Sequence, residues 1–127
     1  MKKIKILLAD DEEILVEMYE ILLDSEFKCD FVKASNGEEA ITLLSTHQDI
    51  DIIISDYNMP LMNGGAVFVY NLSHQNIPFF LVSGGEIKDY PDFKNFIQKN
   101  SLNKFFNKPF NEKHLIEAVR EIIEQGK

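Results

Sequence analysis

Short apolar runs of strand length alternate along this chain with longer segments in which apolar residues recur at helical spacing. The expected strands are residues 4–9, 31–34, 50–55, 78–82 and 104–106. Neighbouring parallel strands need a crossover connection, usually a helix, and these crossovers are right-handed. The alternation therefore predicts the α/β class, with a doubly wound, five-stranded parallel sheet and helices on both of its faces.

The segments between and after these runs predict five helices. They are residues 12–26, 38–47 and 65–74, a segment around 93–97, and a last helix after Asn111, which is expected to be its N-cap. In the first helix, Ile14, Met18, Ile21 and Leu22 are spaced to line one face. Pro91 is expected to delay the start of the fourth helix.

Composition limits the class of protein and its partners. The 127 residues suit one domain, 1–127, and 45% hydrophobic with 27% charged residues is typical of a folded protein. No run of about 18 apolar residues predicts a membrane span, and the N-terminus lacks a signal-peptide pattern, so we expect a cytoplasmic location. The net charge of -8 argues against direct binding to nucleic acid or an anionic membrane. Cys29 is the only cysteine and is expected to be a small buried side chain.

Chemically active side chains follow four of the five expected strands. They are Asp10 and Asp11 after the first strand, Asp56 after the third, Ser83 after the fourth and Lys108 after the fifth. In open parallel sheets, ligands bind beyond the carboxyl ends of the strands, where the strand order reverses. We therefore expect these five side chains to meet at one edge of the sheet.

Three carboxylates at one edge repel one another unless a cation is present, and Mg2+ prefers oxygen ligands. With Asp56 as the central acid, its carboxylate can act as a nucleophile toward phosphorus. Lys108 can offset charge on the transferred oxygens, and the Ser83 hydroxyl can donate to one of them. The set is complete for forming an acyl phosphate.

These residues resemble the receiver domain of bacterial two-component response regulators. The resemblance covers the whole chain. The residues that carry it are the acidic pair Asp10 and Asp11, the acceptor Asp56 within "DYNMP", the following Gly64, the strand-end Ser83, and Lys108 in "KPF". It implies the flavodoxin-like (CheY-like) sheet with strand order 2-1-3-4-5. It also implies a signalling domain rather than an enzyme, with at most slow self-phosphorylation from small donors and slow self-dephosphorylation.

The resemblance further implies partners and roles. A histidine kinase or phosphotransfer protein would phosphorylate Asp56, with Mg2+ held by Asp11, Asp56 and the backbone carbonyl of Asn58, and with Asp10 acting through the metal's waters. Ser83 would move toward the phosphoryl group, and Phe105 would turn inward to fill the space. The fourth helix, fifth strand and fifth helix would form the face that controls a downstream protein. Whether phosphorylation also drives dimerisation stays open, as does whether the chain is a fragment of a longer regulator.

Two positions of this sequence differ from the usual residues of the family. Ser83 stands where threonine is more frequent in the family, and Phe105 stands where tyrosine is frequent.

Alternative interpretations of these residues also exist. Asp11 could simply be a helix N-cap. A haloacid-dehalogenase-like phosphatase also uses an aspartate nucleophile and Mg2+, but its nucleophile follows the first strand and no cap domain is present here. A flavodoxin-like cofactor binder needs a phosphate-binding loop where "ADDEE" would repel phosphate. A pseudo-receiver would lack the intact set of active residues.

Overall fold

The computed structural model describes residues 3–125, and its centre is one parallel sheet of five strands. The strands are β1 Ile4–Ala9, β2 Cys29–Ala34, β3 Ile52–Asp56, β4 Phe79–Ser83 and β5 Lys104–Asn107. Their order is β2-β1-β3-β4-β5, and every neighbouring pair is parallel. The predicted fold class and strand order are confirmed, and strand bounds differ from the prediction by at most two residues.

Five α-helices connect and follow the strands. They are α1 Glu13–Asp24, α2 Gly37–Thr46, α3 Gly64–His74, α4 Pro91–Phe96 and α5 Glu112–Gln125, with short 3-10 turns at Ile87–Asp89 and Ile97–Lys99. The fourth helix overlaps the predicted segment, begins at Pro91 and has only six residues. The Asn111 Oδ1 atom accepts a hydrogen bond from the Lys113 N–H at 2.8 Å, which confirms the predicted cap of α5. Within residues 3–125, no helix is long and apolar enough to cross a bilayer.

The central strand β3 is buried on both faces, which explains its run of isoleucines. Ile52 and Ile54 pack in the cluster formed with α1 and α5, whereas Ile53 packs in the cluster formed with α2, α3 and α4. Successive side chains of a strand point to opposite faces, so a strand covered on both sides is apolar at every position. Asp56 therefore ends a strand that is buried along its whole length.

The apolar spacing of α1 predicts the wrong buried face for this helix. Ile14 and Ile21 are 81% and 73% exposed. The buried residues of this helix are instead Val16, Tyr19 and Leu23. Both sets have a helical spacing, and the direction from which the helix approaches the sheet decides which one is covered.

The single cysteine lies in the core, as predicted. Cys29 is 8% exposed at the start of β2, and burial raises the pKa of its thiol to about 11. Because the thiolate is the nucleophilic form, native Cys29 should react with Ellman's reagent at pH 8 at least about ten-fold more slowly than the urea-unfolded chain. The rate in the native state should rise as the pH increases toward the raised pKa. Equal rates in native and unfolded protein would contradict this burial.

Candidate functional site

Three carboxylates meet at the carboxyl edge of the sheet. Asp10 and Asp11 follow β1, and Asp56 is the last residue of β3. These strands are neighbours in register, with Ala9 beside Ser55. One carboxylate oxygen from each acid lies within 4.8 Å of the others. The parallel topology thus brings together acids that are more than 40 positions apart in the sequence.

Asp10 is the most deeply placed of the three acids. Its side chain is nearly covered, at 3% residue exposure. The Oδ1 atom accepts a hydrogen bond from the Glu12 N–H at 2.9 Å, whereas Oδ2 is buried without a hydrogen-bond partner in the described structure. Burial raises the pKa of Asp10 to about 6, and the nearby Asp56 charge adds to this rise. An unpartnered carboxylate oxygen beside two other acids is an environment that fits a cation.

Asp11 is exposed and does not cap the helix that follows it. The N-cap of α1 is Glu12, whose side chain makes no cap hydrogen bond. The alternative interpretation of Asp11 as an N-cap is therefore wrong. Its carboxylate oxygen is instead one of the three that cluster at the edge.

Lys108 supplies the positive charge at this edge. Its Nζ atom lies 3.3 Å from Asp56 Oδ1 and 3.9 Å from Asp10 Oδ2, the second separation being too long for a hydrogen bond. The Lys108 N–H also donates to the Ser83 carbonyl at 2.7 Å, which fixes the end of β5 against β4. The Lys108–Pro109 peptide bond is cis.

The acceptor candidate Asp56 is held by its own loop. The Tyr57 N–H donates to Asp56 Oδ1 at 3.0 Å. Burial raises the pKa of the Asp56 carboxyl, and the Lys108 charge opposes this rise. The Gly64 N–H donates to the Tyr57 carbonyl at 2.7 Å, and a Cβ at Gly64 would come within 2.9 Å of Tyr57 Cα. Only glycine permits this close return of the chain beside Asp56. Asn58 is exposed two residues after the acceptor.

Ser83 lies near this set but does not join it through hydrogen bonds. It is fully buried, and its Oγ is hydrogen-bonded to the hydroxyl of Tyr90. Among residues 3–125, no hydrogen bond links the Ser83 hydroxyl to Asp56 or Lys108. Phe105 is half-buried, and its ring centroid is 5.9 Å from that of Tyr90.

Tyr90 is the residue that the sequence did not single out. It lies in the loop between β4 and α4, and its ring is 4.3 Å from that of Tyr57, next to the acceptor. Its position immediately before Pro91 was the only cue, because the residue before a proline is biased to an extended conformation outside the helix. That cue predicts a loop residue, and it does not predict a contact with Ser83.

Removing the charge of Asp10 should stabilise the metal-free protein. In EDTA, we expect Asp10→Asn to raise the free energy of unfolding by about 1 to 2 kcal/mol, because it relieves a buried carboxylate that lacks a full partner. Urea unfolding followed by circular dichroism measures this. Glu17→Gln is the control, since Glu17 is an exposed acid of α1. A lower free energy of unfolding for Asp10→Asn would contradict the description of this edge.

The amino-acid sequence of this chain is similar to those of several known proteins. The chain is 26% identical to a chemotaxis protein CheY homolog of Campylobacter jejuni over 127 residues, which cover 96% of this chain and 94% of that protein. It is 32% identical to the uncharacterized transcriptional regulatory protein YesN of Bacillus subtilis, covering 97% of this chain but only 33% of YesN. The matching region therefore makes up nearly the whole of the CheY homolog but only about a third of YesN.

Solved structures agree with this fold. The structure of the response regulator protein TrrA from Thermotoga maritima, in complex with Mg(2+)-BeF, matches with a TM-score of 0.77 at 23% identity, covering 94% of this chain and 98% of that one. The model of the response regulator receiver domain family matches residues 6–120. With this match over most of its length, the chain belongs to the response regulator receiver domain family.

Proposed function

We propose that this chain, as a single domain over residues 1–127, is a cytoplasmic receiver that accepts a phosphoryl group on Asp56. The donor is a histidine kinase or a phosphotransfer protein. The observation that carries the proposal is the position of Lys108 Nζ, 3.3 Å from Asp56 Oδ1, beside two further carboxylates at the same edge. A buried acid paired with one lysine at a strand end suits nucleophilic attack on phosphorus.

In the proposed step, a carboxylate oxygen of Asp56 forms a bond to phosphorus. The bond from phosphorus to the donor histidine nitrogen breaks, and its electron pair returns to the imidazole. Lys108 and the Tyr57 N–H orient the carboxylate through Oδ1, because both contact that atom. The Lys108 ammonium is also placed to offset the negative charge of the incoming phosphoryl oxygens.

The acidic edge would hold Mg2+ through Asp11, Asp56 and the backbone carbonyl of Asn58, with Asp10 acting through metal-bound water. The donor set is all oxygen, and the unpartnered Oδ2 of buried Asp10 is the feature that a hydrated cation would satisfy. When bound, magnesium supplies positive charge that stabilises the phosphoryl oxygens during transfer. The TrrA structure contains Mg(2+)-BeF, which supports the same assignment here.

Output would pass through α4, β5 and α5 to a downstream protein. Ser83 and Phe105 are the proposed switch residues, and phosphorylation favours the active state only by the difference in its interactions with the two states. The relatives named above include a chemotaxis protein and a transcriptional regulatory protein, so the family serves different outputs. The chain itself would act as a signalling switch, with no more than slow self-phosphorylation and self-dephosphorylation.

Intact-mass measurement after incubation with acetyl phosphate and Mg2+ tests the acceptor. We expect the wild type to gain one phosphoryl group and Asp56→Asn to gain none, because the amide is a far poorer nucleophile toward phosphorus than the carboxylate. Asp92→Asn is the control, since Asp92 is an exposed acid of α4 far from the cluster in sequence. Equal labelling of wild type and Asp56→Asn would show that the nucleophile is another residue.

The same preparation separates this function from the small-phosphatase alternative. A receiver should show no multiple turnover of para-nitrophenyl phosphate, because residues 3–125 form no cap domain that could bind a small phosphoester and the acceptor ends β3 rather than β1. Sustained release of para-nitrophenol that Asp56→Asn abolishes would favour the phosphatase.

Asp11→Ala should weaken Mg2+ binding by about ten-fold or more, because it removes one of the clustered carboxylates. Isothermal titration calorimetry with MgCl2 measures the affinity. Glu38→Ala, which removes an exposed acid from the first turn of α2, is the matched control. If both variants bound Mg2+ as tightly as the wild type, the ligand set would be misassigned.

A further inference from the structure

The Ser83 side chain leaves β4 on the opposite face from the Asp56 side chain. Asp56 pairs in register with Val82, and paired residues of parallel strands point to the same side. Ser83 is the next residue along, so it points to the other side, together with Leu81. The core clusters agree, since Val82 packs with the α1 and α5 side and Leu81 packs with the α2, α3 and α4 side.

On that side, the partner of the Ser83 hydroxyl is the hydroxyl of Tyr90. Ser83 is fully buried and Tyr90 is 9% exposed, so water does not readily replace either partner. Gly85 makes the approach possible, because a Cβ there would lie 2.6 Å from the Tyr90 hydroxyl oxygen. The Tyr90 ring also contacts two other aromatic rings, with its centroid 4.3 Å from that of Tyr57 and 5.9 Å from that of Phe105. Tyr90 therefore contacts both Ser83, through the hydroxyl, and Phe105, through the ring.

We propose that Tyr90 is a positioning residue that holds the Ser83 hydroxyl on the α4 side of the sheet until Asp56 is phosphorylated. This inference rests on the proposed function, in which Ser83 donates to a phosphoryl oxygen. To do so, Ser83 must give up its hydrogen bond to Tyr90, because the phosphoryl group is bonded to a side chain on the other face. Phosphorylation thus releases the Tyr90 hydroxyl, and the hydrogen bond between the two residues stabilises the unphosphorylated state.

The released residue is directly connected to the output face. Tyr90 immediately precedes Pro91, the first residue of α4, and packs against Phe105 of β5. Two hydrogen bonds hold the loop before Tyr90. The Asn107 side-chain amide donates to the Gly85 carbonyl, and the Glu86 N–H donates to Asp89 Oδ2 at 2.9 Å. A change at the Tyr90 side chain is therefore passed to α4 and β5 rather than absorbed by the loop. Phe105 would follow Tyr90 and would not respond to Ser83 directly.

Tyr90→Phe tests the proposal because it removes the hydroxyl and keeps the ring. The probe is beryllofluoride with Mg2+, a mimic of the bound phosphoryl group, and the readout is its half-saturating concentration from amide NMR spectra. We expect a value about five-fold lower than in the wild type, the factor that one lost hydrogen bond of ordinary strength gives. Tyr70→Phe is the matched control, since Tyr70 is half-buried on α3 and stacks on His74. An unchanged or higher value for Tyr90→Phe would overturn the proposal.

A second measurement uses the unmodified sequence and does not depend on how any variant folds. The chain has four tyrosines, and selective labelling at the ring carbon that bears the hydroxyl gives one NMR signal for each. Beryllofluoride should shift the Tyr90 signal and leave the Tyr70 signal in place. An unshifted Tyr90 signal in protein that binds beryllofluoride would refute this role and leave the proposed function standing. Protein that neither binds beryllofluoride nor is labelled by acetyl phosphate would refute both.

Discussion

The contact between the Lys108 ammonium and the Asp56 carboxylate is the interaction on which the rest of this site depends. The edge holds three clustered carboxylates, two of them buried, and Lys108 is the cation paired with the central one at 3.3 Å. One positive charge leaves this edge negative, so the site retains affinity for a further cation. The backbone of Lys108 is tied to Ser83 in turn, so the position of the charge follows from the register of β4 and β5.

Much of this arrangement could be predicted from the sequence, because it follows from topology. Alternating strands and helices predict a parallel sheet, and a parallel sheet gathers all strand ends at one edge. Asp10, Asp11, Asp56 and Lys108 each follow or end a strand, so their convergence needs no knowledge of side-chain packing. The isoleucines before Asp56 predict a strand covered on both faces, and the structure confirms that burial.

What the sequence could not predict depends on packing between elements. On α1, the exposed residues Ile14 and Ile21 and the buried residues Val16 and Leu23 each have the same seven-residue spacing, so periodicity alone cannot choose between the two sets. Tyr90 is seven residues from Ser83, across a loop and a 3-10 turn that have no regular period. Its hydroxyl reaches Ser83 because the loop folds back over the end of β4, and that path is set by contacts with Gly85 and Asn107.

The acidic edge and the aromatic contacts together describe a switch with two partners for one hydroxyl. In the unphosphorylated chain Ser83 is bonded to Tyr90, and in the proposed active state it is bonded to the phosphoryl group on Asp56. A crystal structure with Mg2+ and beryllofluoride tests this account most directly. The account predicts beryllofluoride on Asp56, in contact with Lys108 and with a Ser83 hydroxyl that has left Tyr90. Beryllofluoride bound to a different side chain, or absent from this edge in crystals of protein saturated with it, would contradict the account.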